Sequence, residues 1–316
     1  MTHYHTRMRV FGLTVALACW GAALTAQEAG TSRVPRIGGT LRSKYEYQTA
    51  EGTGRFQVRT ARVNIRGSLS DMVAYKAEID LCDEGQIKML DAYTTLAPLP
   101  SLGFTIGQMR VPFTIDAHRS PHSQYFANRS FIAKQVGNIR DVGAKLEWNL
   151  HPGFPVRVEA GAYNGSGLTG QKDFWTSSVN FSAKAQLLLP VGLNVVLSAQ
   201  KIKPDAVAIM MYDVGLTYHR RQFLAEAEYL YKHYGQGAFA PVHAVNVMGC
   251  YDIALHHRLL TKVSLLARYD YMSDHSDGRR YADGNLNSQG CLIVNDYRRS
   301  RVTAGITLSM DKPFVS

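Results

Sequence analysis

Basic side chains carry most of the chemistry this sequence can offer. Between Pro112 and Asn138 the stretch PFTIDAHRSPHSQYFANRSFIAKQVGN brings Arg119, Arg129 and Lys134 together with a single acid, Asp116. Flanking segments add Arg62, Arg66, Lys76, Arg110 and Arg140. An arginine fork can donate two hydrogen bonds to two oxygens of one anion. Rings of such cations at a narrow point replace the water an anion sheds and still let it go. These eight residues are therefore the candidate anion pathway. The competing role is structural: Arg129 and Arg140 pair with carboxylates such as Asp141 or Glu147 and hold the stretch in place, and lysines at segment ends are solvated rim charges. Glu46, Glu78, Asp80, Asp141, Glu147, Glu159, Glu226 and Glu228 fall on the same side as the cations, so a mixed lining is expected.

Catalysis has weaker support. His118, His122 and Ser123 lie close together, but a Ser/His nucleophile needs a third group to orient the base, and none is evident. No enzyme activity is expected. Cys82, Cys250 and Cys291 lie beyond the leader described below, an odd number with no CxxC spacing. They imply neither a disulfide framework nor a metal site, and no cofactor is expected.

The elements that must position these residues begin after an address label. Arg7 and Arg9 precede an apolar run from Val10 to Leu24, and Leu24-Thr25-Ala26 gives way to Gln27 and Glu28. This pattern predicts a secretory leader over 1–26, cleaved after Ala26, and a single domain over 27–316. The run is shorter than the ~20 residues of a spanning helix. The formal net charge of +10 loses only Arg7 and Arg9 with the leader. For an exported chain this excess fits small anions better than nucleic acid.

Beyond the leader, apolar and polar residues alternate with period two. Val142, Ala144, Leu146, Trp148 and Leu150 alternate with Asp141, Lys145, Glu147 and Asn149; Val179, Phe181, Ala183, Ala185 and Leu187 alternate with Ser178, Asn180, Ser182, Lys184 and Gln186. Roughly fourteen such segments are predicted, near 36–48, 54–69, 72–82, 87–97, 101–111, 139–150, 154–164, 176–189, 192–202, 206–219, 221–233, 241–256, 259–272 and 291–310. Strands of ten or so residues with one apolar face are the pattern of an outer-membrane barrel, apolar to lipid and polar to the lumen. Tight joins such as Ser70-Asp71, Pro190-Val191-Gly192 and Arg220-Arg221 fall on one side, and longer polar connections at 165–175 and 273–290 on the other. The 17 tyrosines, among them Tyr45, Tyr47, Tyr229, Tyr231, Tyr269 and Tyr271, gather near segment ends, where an interfacial girdle would place them. The expected fold is all-β, a transmembrane antiparallel β-barrel of about 14–16 strands in lipid. One long loop, anchored by Phe113, Tyr125, Phe126, Phe131 and Ile132, folds into the lumen. The phase expected for the segment before that loop turns Met109 and Val111 to lipid, and Gln108 and Arg110 inward.

Several stretches carry a family resemblance. They are Gly107-Gln108-Met109-Arg110-Val111-Pro112-Phe113, Ala127-Asn128-Arg129-Ser130, Arg140-Asp141-Val142-Gly143, 54–67 (GRFQVRTARVNIRG), 267–272 (ARYDYM) and 296–314, which includes RVTAGITLSMDKPF. In this order they resemble the phosphate-selective porins O and P, particularly the shorter members from Bacteroidetes. The resemblance implies a passive, water-filled channel with a basic constriction, often a homotrimer, that passes small anions such as phosphate. It also implies a closing strand with a terminal aromatic residue where this chain has Lys312-Pro313-Phe314-Val315-Ser316, so closure is expected to need one more strand. Two other readings stay open: a non-selective nutrient pore, and a closed-lumen structural or adhesive barrel.

Overall fold

The computed structural model describes residues 12–15, 34–83, 85–120, 123–135, 140–150, 155–168, 171, 174–204, 207–255, 257, 260–276 and 297–310. His122, Cys291 and most of the predicted leader lie outside these. One antiparallel sheet runs in chain order, each strand paired with the next. Its strands are β1 (Gly12–Val15), β2 (Arg36–Gln48), β3 (Thr53–Ser68), β4 (Val73–Asp83), β5 (Gln86–Leu99), β6 (Leu102–Arg110), β7 (Arg140–Leu150), β8 (Val156–Tyr163), β9 (Asn180–Leu189), β10 (Leu193–Ile202), β11 (Ile209–Arg220), β12 (Phe223–Tyr234), β13 (Val242–Ala254), β14 (Lys262–Met272) and β15 (Arg299–Ser309). A short helix, α1 (Phe131–Gln135), interrupts the long β6–β7 connection. The long strands β2 to β15 match the predicted segments one for one.

The alternation becomes two faces. Leu197, Val214, Tyr229, Val247 and Leu265 are exposed, and their chain neighbours Ser198, Asp213, Glu228, Asn246 and Ser264 are buried. In water each exposed Leu or Val would forgo roughly 1.5–3 kcal/mol. A continuous apolar band of this kind is stable only against hydrocarbon. Joins at 69–72, 100–101, 190–192 and 221–222 are tight and share one end of the sheet, whereas 111–139, 164–179 and 273–298 are at the other. Short turns on one end and long loops on the other are the periplasmic and extracellular ends of such a sheet.

Aromatic residues flank the apolar band. At the long-loop end Tyr229 Oη and His243 Nδ1 are 2.7 Å apart, and Tyr231 packs against both His233 and His243. At the short-turn end Tyr218 lies against Phe223, beside the exposed Tyr251. His243 and Tyr251 are eight positions apart on one strand, about 20 Å of membrane height at the usual rise and tilt.

The sheet wraps around its own long loop. Arg42 on β2 donates to Gln124 and to the Phe126 carbonyl, while Arg301 on β15 donates to the Arg129 carbonyl at 2.8 Å. Both ends of the strand order thus reach one loop. Among the described residues β15 pairs with β14 alone, and β2 pairs with β3 and with the four residues of β1, Val15 opposite Tyr45. The wall is therefore curled, with no β2–β15 pairing.

One expected phase is corrected. Met109 and Val111 are 2% and 3% exposed and face inward, in a cluster with Phe113, Phe131, Ile132, Ile209, Met211 and Leu230. The loop has apolar anchors of its own, and the wall meets them with apolar side chains. β6 can break its alternation because Gly107 takes φ 127°, where a Cβ would lie 2.3 Å from the Ala92 carbonyl oxygen. The interior is thus apolar at the long-loop end and polar below it.

Candidate functional site

The long β6–β7 connection inside the barrel must find partners for its backbone, because buried peptide groups are costly when unpaired. Side chains from the wall supply them. Ser182 Oγ donates to the Pro112 carbonyl at 2.7 Å, and Lys184 Nζ to the Thr114 carbonyl at 2.7 Å. The Thr114 amide donates to Ser198 Oγ at 3.2 Å and the Ile115 amide to Glu228 Oε1 at 2.6 Å. These bonds hold Thr114 at φ 59°, a left-handed conformation that costs a β-branched residue roughly 1–3 kcal/mol. Gly215 on β11 leaves room for the next residue, since a Cβ there would sit 2.4 Å from Ile115 Cδ1. Further along, Arg268 donates to the Asn128 carbonyl at 3.0 Å, and Asp270 accepts the Phe131 amide at 3.3 Å. The loop is thus fastened to β9–β12, β14, β15 and β2.

The opposite wall is left open. A cavity of about 420 Å³ lies between the loop residues His118 and Ser120 and the β4–β8 wall. Its charged lining is Lys76, Arg110, Lys145 and Arg157 against Asp91, Glu147 and Glu159, with Tyr93, Thr95, Thr105 and Asn149 between them. Three of the four cations are compensated. Lys76 Nζ lies 2.6 Å from Asp91 and 2.8 Å from Glu78; Lys145 Nζ lies 2.6 Å from Glu159; Arg157 lies 2.9 Å from Glu147. Arg110 differs. Its Nη1 donates to the carbonyls of Ala117, His118 and Arg119, at 3.4, 2.8 and 3.0 Å, and among the described residues it forms no ion pair.

The remaining predicted residues divide. Arg140 is buried and pairs with Asp91 at 2.7 Å and Glu78 at 3.6 Å, instead of Asp141 or Glu147. Arg62 is held by Asp80 at 2.9 Å and Glu78 at 3.2 Å. Arg119 pairs with Glu226 and, at 3.5 Å, with Asp116, and stacks on Tyr125. Arg129 donates to the carbonyls of Asp116 and Arg119, and burial lowers its guanidinium to about 10. Both loop arginines therefore hold the loop's own path. Arg66 is exposed near the short-turn end, and Lys134 is exposed on α1. Only Lys76 and Arg110 of the eight line the cavity. Lys145, Arg157 and Tyr93 were not selected from the sequence, although Lys145 lay on the inward face of its strand. Burial and the nearby cations Lys184 and Arg110 push the His118 imidazole well below its usual range, and its Nε2 has no hydrogen-bond partner among the described residues.

Residues 38–222, more than half of the chain, match the family model for phosphate-selective porin O and P. The chain belongs to that family. Among solved structures, the outer membrane channel DcaP of Acinetobacter baumannii is similar with a TM-score of 0.54 at 16% identity, over 82% of this chain and 84% of that chain. The anion-selective porin from Comamonas acidovorans aligns at 11% identity over 87% of this chain and 98% of its own, with a TM-score of 0.43. OmpT of Vibrio cholerae in its trimer form aligns at 11% identity over 87% of this chain and 99% of its own, also with a TM-score of 0.43. No curated protein matches in sequence. At such identities the structural likeness speaks to fold, and family and fold together make this porin an outer-membrane channel protein.

Proposed function

We propose that this porin passes small anions, phosphate among them, along the β4–β8 wall, with Arg110 as the residue that sets the preference. The observation that supports the reading is the uneven charge balance of the cavity: Lys76, Lys145 and Arg157 have carboxylate partners, whereas among the described residues Arg110 forms no ion pair and donates to carbonyl oxygens. A guanidinium bound through one nitrogen to neutral acceptors keeps its positive field for a passing ion. The paired residues around it supply exchangeable polar groups without trapping the solute. Residues 1–26 are read as the export leader, whose cleavage removes β1 and leaves β2 to β15 as the wall, and the assembly is read as a homotrimer in outer-membrane lipid, in line with the family.

The test is the reversal potential across a planar bilayer under a salt gradient. The expected result is anion preference, weakened by Arg110→Gln. A wild type that prefers cations overturns the assignment. A second reading, a nutrient pore without charge preference, draws on the same ion pairs, which leave the lining close to neutral; it predicts zero reversal potential and equal passage of neutral and anionic solutes of one size.

A further inference from the structure

We propose that Asp213 and Glu228 hold one proton between them and that this proton positions the loop against the β9–β12 wall. The proposal rests on the channel reading for its consequence, though not for its chemistry. Asp213 faces inward on β11 and Glu228 on β12, one inward position apart across the register, with Gly215 opposite Glu228 and Leu230 opposite Asp213. Both are almost completely buried. The register sets their side chains beside each other on the inward face, and among the described residues Asp213 Oδ2 and Glu228 Oε2 have no hydrogen-bond partner. An ionised carboxylate only accepts, so these two oxygens can satisfy each other only when one of the two groups carries a proton. Otherwise two like charges face each other in a site shut off from water.

The outer oxygens of the pair are committed to the loop. Glu228 Oε1 accepts the Ile115 amide at 2.6 Å. Asp213 Oδ1 accepts from Ser198 Oγ at 3.2 Å, and that same hydroxyl accepts the Thr114 amide. Two consecutive peptide groups of the loop therefore hang from one pair. The groups that face it are Lys184 from β9, Ser198 from β10, Asn246 from β13 opposite Glu228, Glu226 from β12 and Asp116 from the loop, the last two both paired with Arg119. With one proton the pair carries a single negative charge, which Lys184 balances while bound to the Thr114 carbonyl. Loss of that proton leaves two charges against one lysine. Repulsion then parts the carboxylates, and Thr114 and Ile115 lose their acceptor geometry. A loop loosened from this wall moves toward the cavity along β4–β8 and narrows it.

The experiment uses the full-length protein in planar bilayers and, in parallel, infrared spectroscopy of the same protein in lipid vesicles. Wild-type single-channel conductance should fall and become noisy as pH is raised from acid to alkaline. Glu228→Gln retains an acceptor for Ile115, gives Asp213 a permanent donor and cannot titrate; its conductance should stay at the acid level throughout. Asp213→Asn is the second variant, with the same loss of pH dependence expected. The infrared spectrum should show a protonated carboxyl band at neutral pH in wild type that is missing from both variants. A wild type whose conductance ignores pH, a Glu228→Gln variant that titrates like wild type, or no such band at neutral pH overturns the proposal. If no current flows at any pH, the channel reading fails, and the infrared band alone decides whether the proton is shared.

Discussion

Replacing Arg110 with Gln removes the uncompensated charge of the cavity and keeps a donor for the loop carbonyls. A sphere of the cavity's volume has a radius of about 4.7 Å, so a permeating ion passes within roughly 5 Å of the guanidinium. At that range a unit charge is worth ~0.8 kcal/mol in water. Screening at 0.1 M salt reduces this to about 0.5 kcal/mol. The term favours an anion and opposes a cation equally, so its removal changes the anion-to-cation ratio by about 1 kcal/mol, roughly fivefold. The assay is the reversal potential in a salt gradient, repeated at higher ionic strength, where the difference between wild type and Arg110→Gln should shrink. Arg66→Gln and Lys134→Gln are the controls, because neither residue lines the cavity; they should leave the potential unchanged. An unaltered reversal potential in Arg110→Gln refutes the reasoning, as does a loss of equal size in the controls.

Gly215→Val drives a side chain into Ile115 and should cost about 1–3 kcal/mol through overpacking, read as a lower unfolding midpoint in urea with a noisier open current. Arg140→Ala leaves Asp91 and Glu78 short of a buried cation and should destabilise the barrel by roughly 3 kcal/mol; denaturant titration in lipid vesicles measures it. Leu197→Arg places a charge on the lipid face of β10 and should cost ~2–4 kcal/mol, whereas Asn194→Arg on the inward face of the same strand should cost under about 1 kcal/mol. Equal costs for these two would mean that the faces of β10 are misassigned.

Strand positions were legible because period-two alternation is local: each segment such as 140–150 carries its own lipid face. The phase of β6 was not, because it depends on what the interior contains. Met109 and Val111 read as lipid-facing only if the lumen is uniformly polar, and the loop anchors Phe113 and Ile132 make it apolar at that level. The positive φ of Gly107, which marks the break, has no signature beyond the glycine itself. Charge compensation was equally hidden. Arg140 meets Asp91 across β6, and Lys76 meets the same carboxylate from β4, pairings that require strand register as well as strand content. The cavity residues Lys145 and Arg157 have no distinguishing signal in the sequence, because strand alternation does not say which side of the interior the loop leaves open. In space the loop leans on β9–β12, and on the open side the hold on it comes from β6, through Arg110 and Met109.

That lean divides the barrel into two halves that answer to different demands. Side chains on β9, β10 and β12 are committed to peptide groups of the loop, so a substitution that removes the donor or acceptor at Ser182, Lys184 or Ser198 alters the fold before it alters any solute. Side chains of the β4–β8 wall such as Asn149 line the cavity without bonding the loop, so their exchange leaves the loop's anchors in place. New specificities can therefore be engineered, or drift in nature, by repainting one wall, while the other keeps the aperture in place.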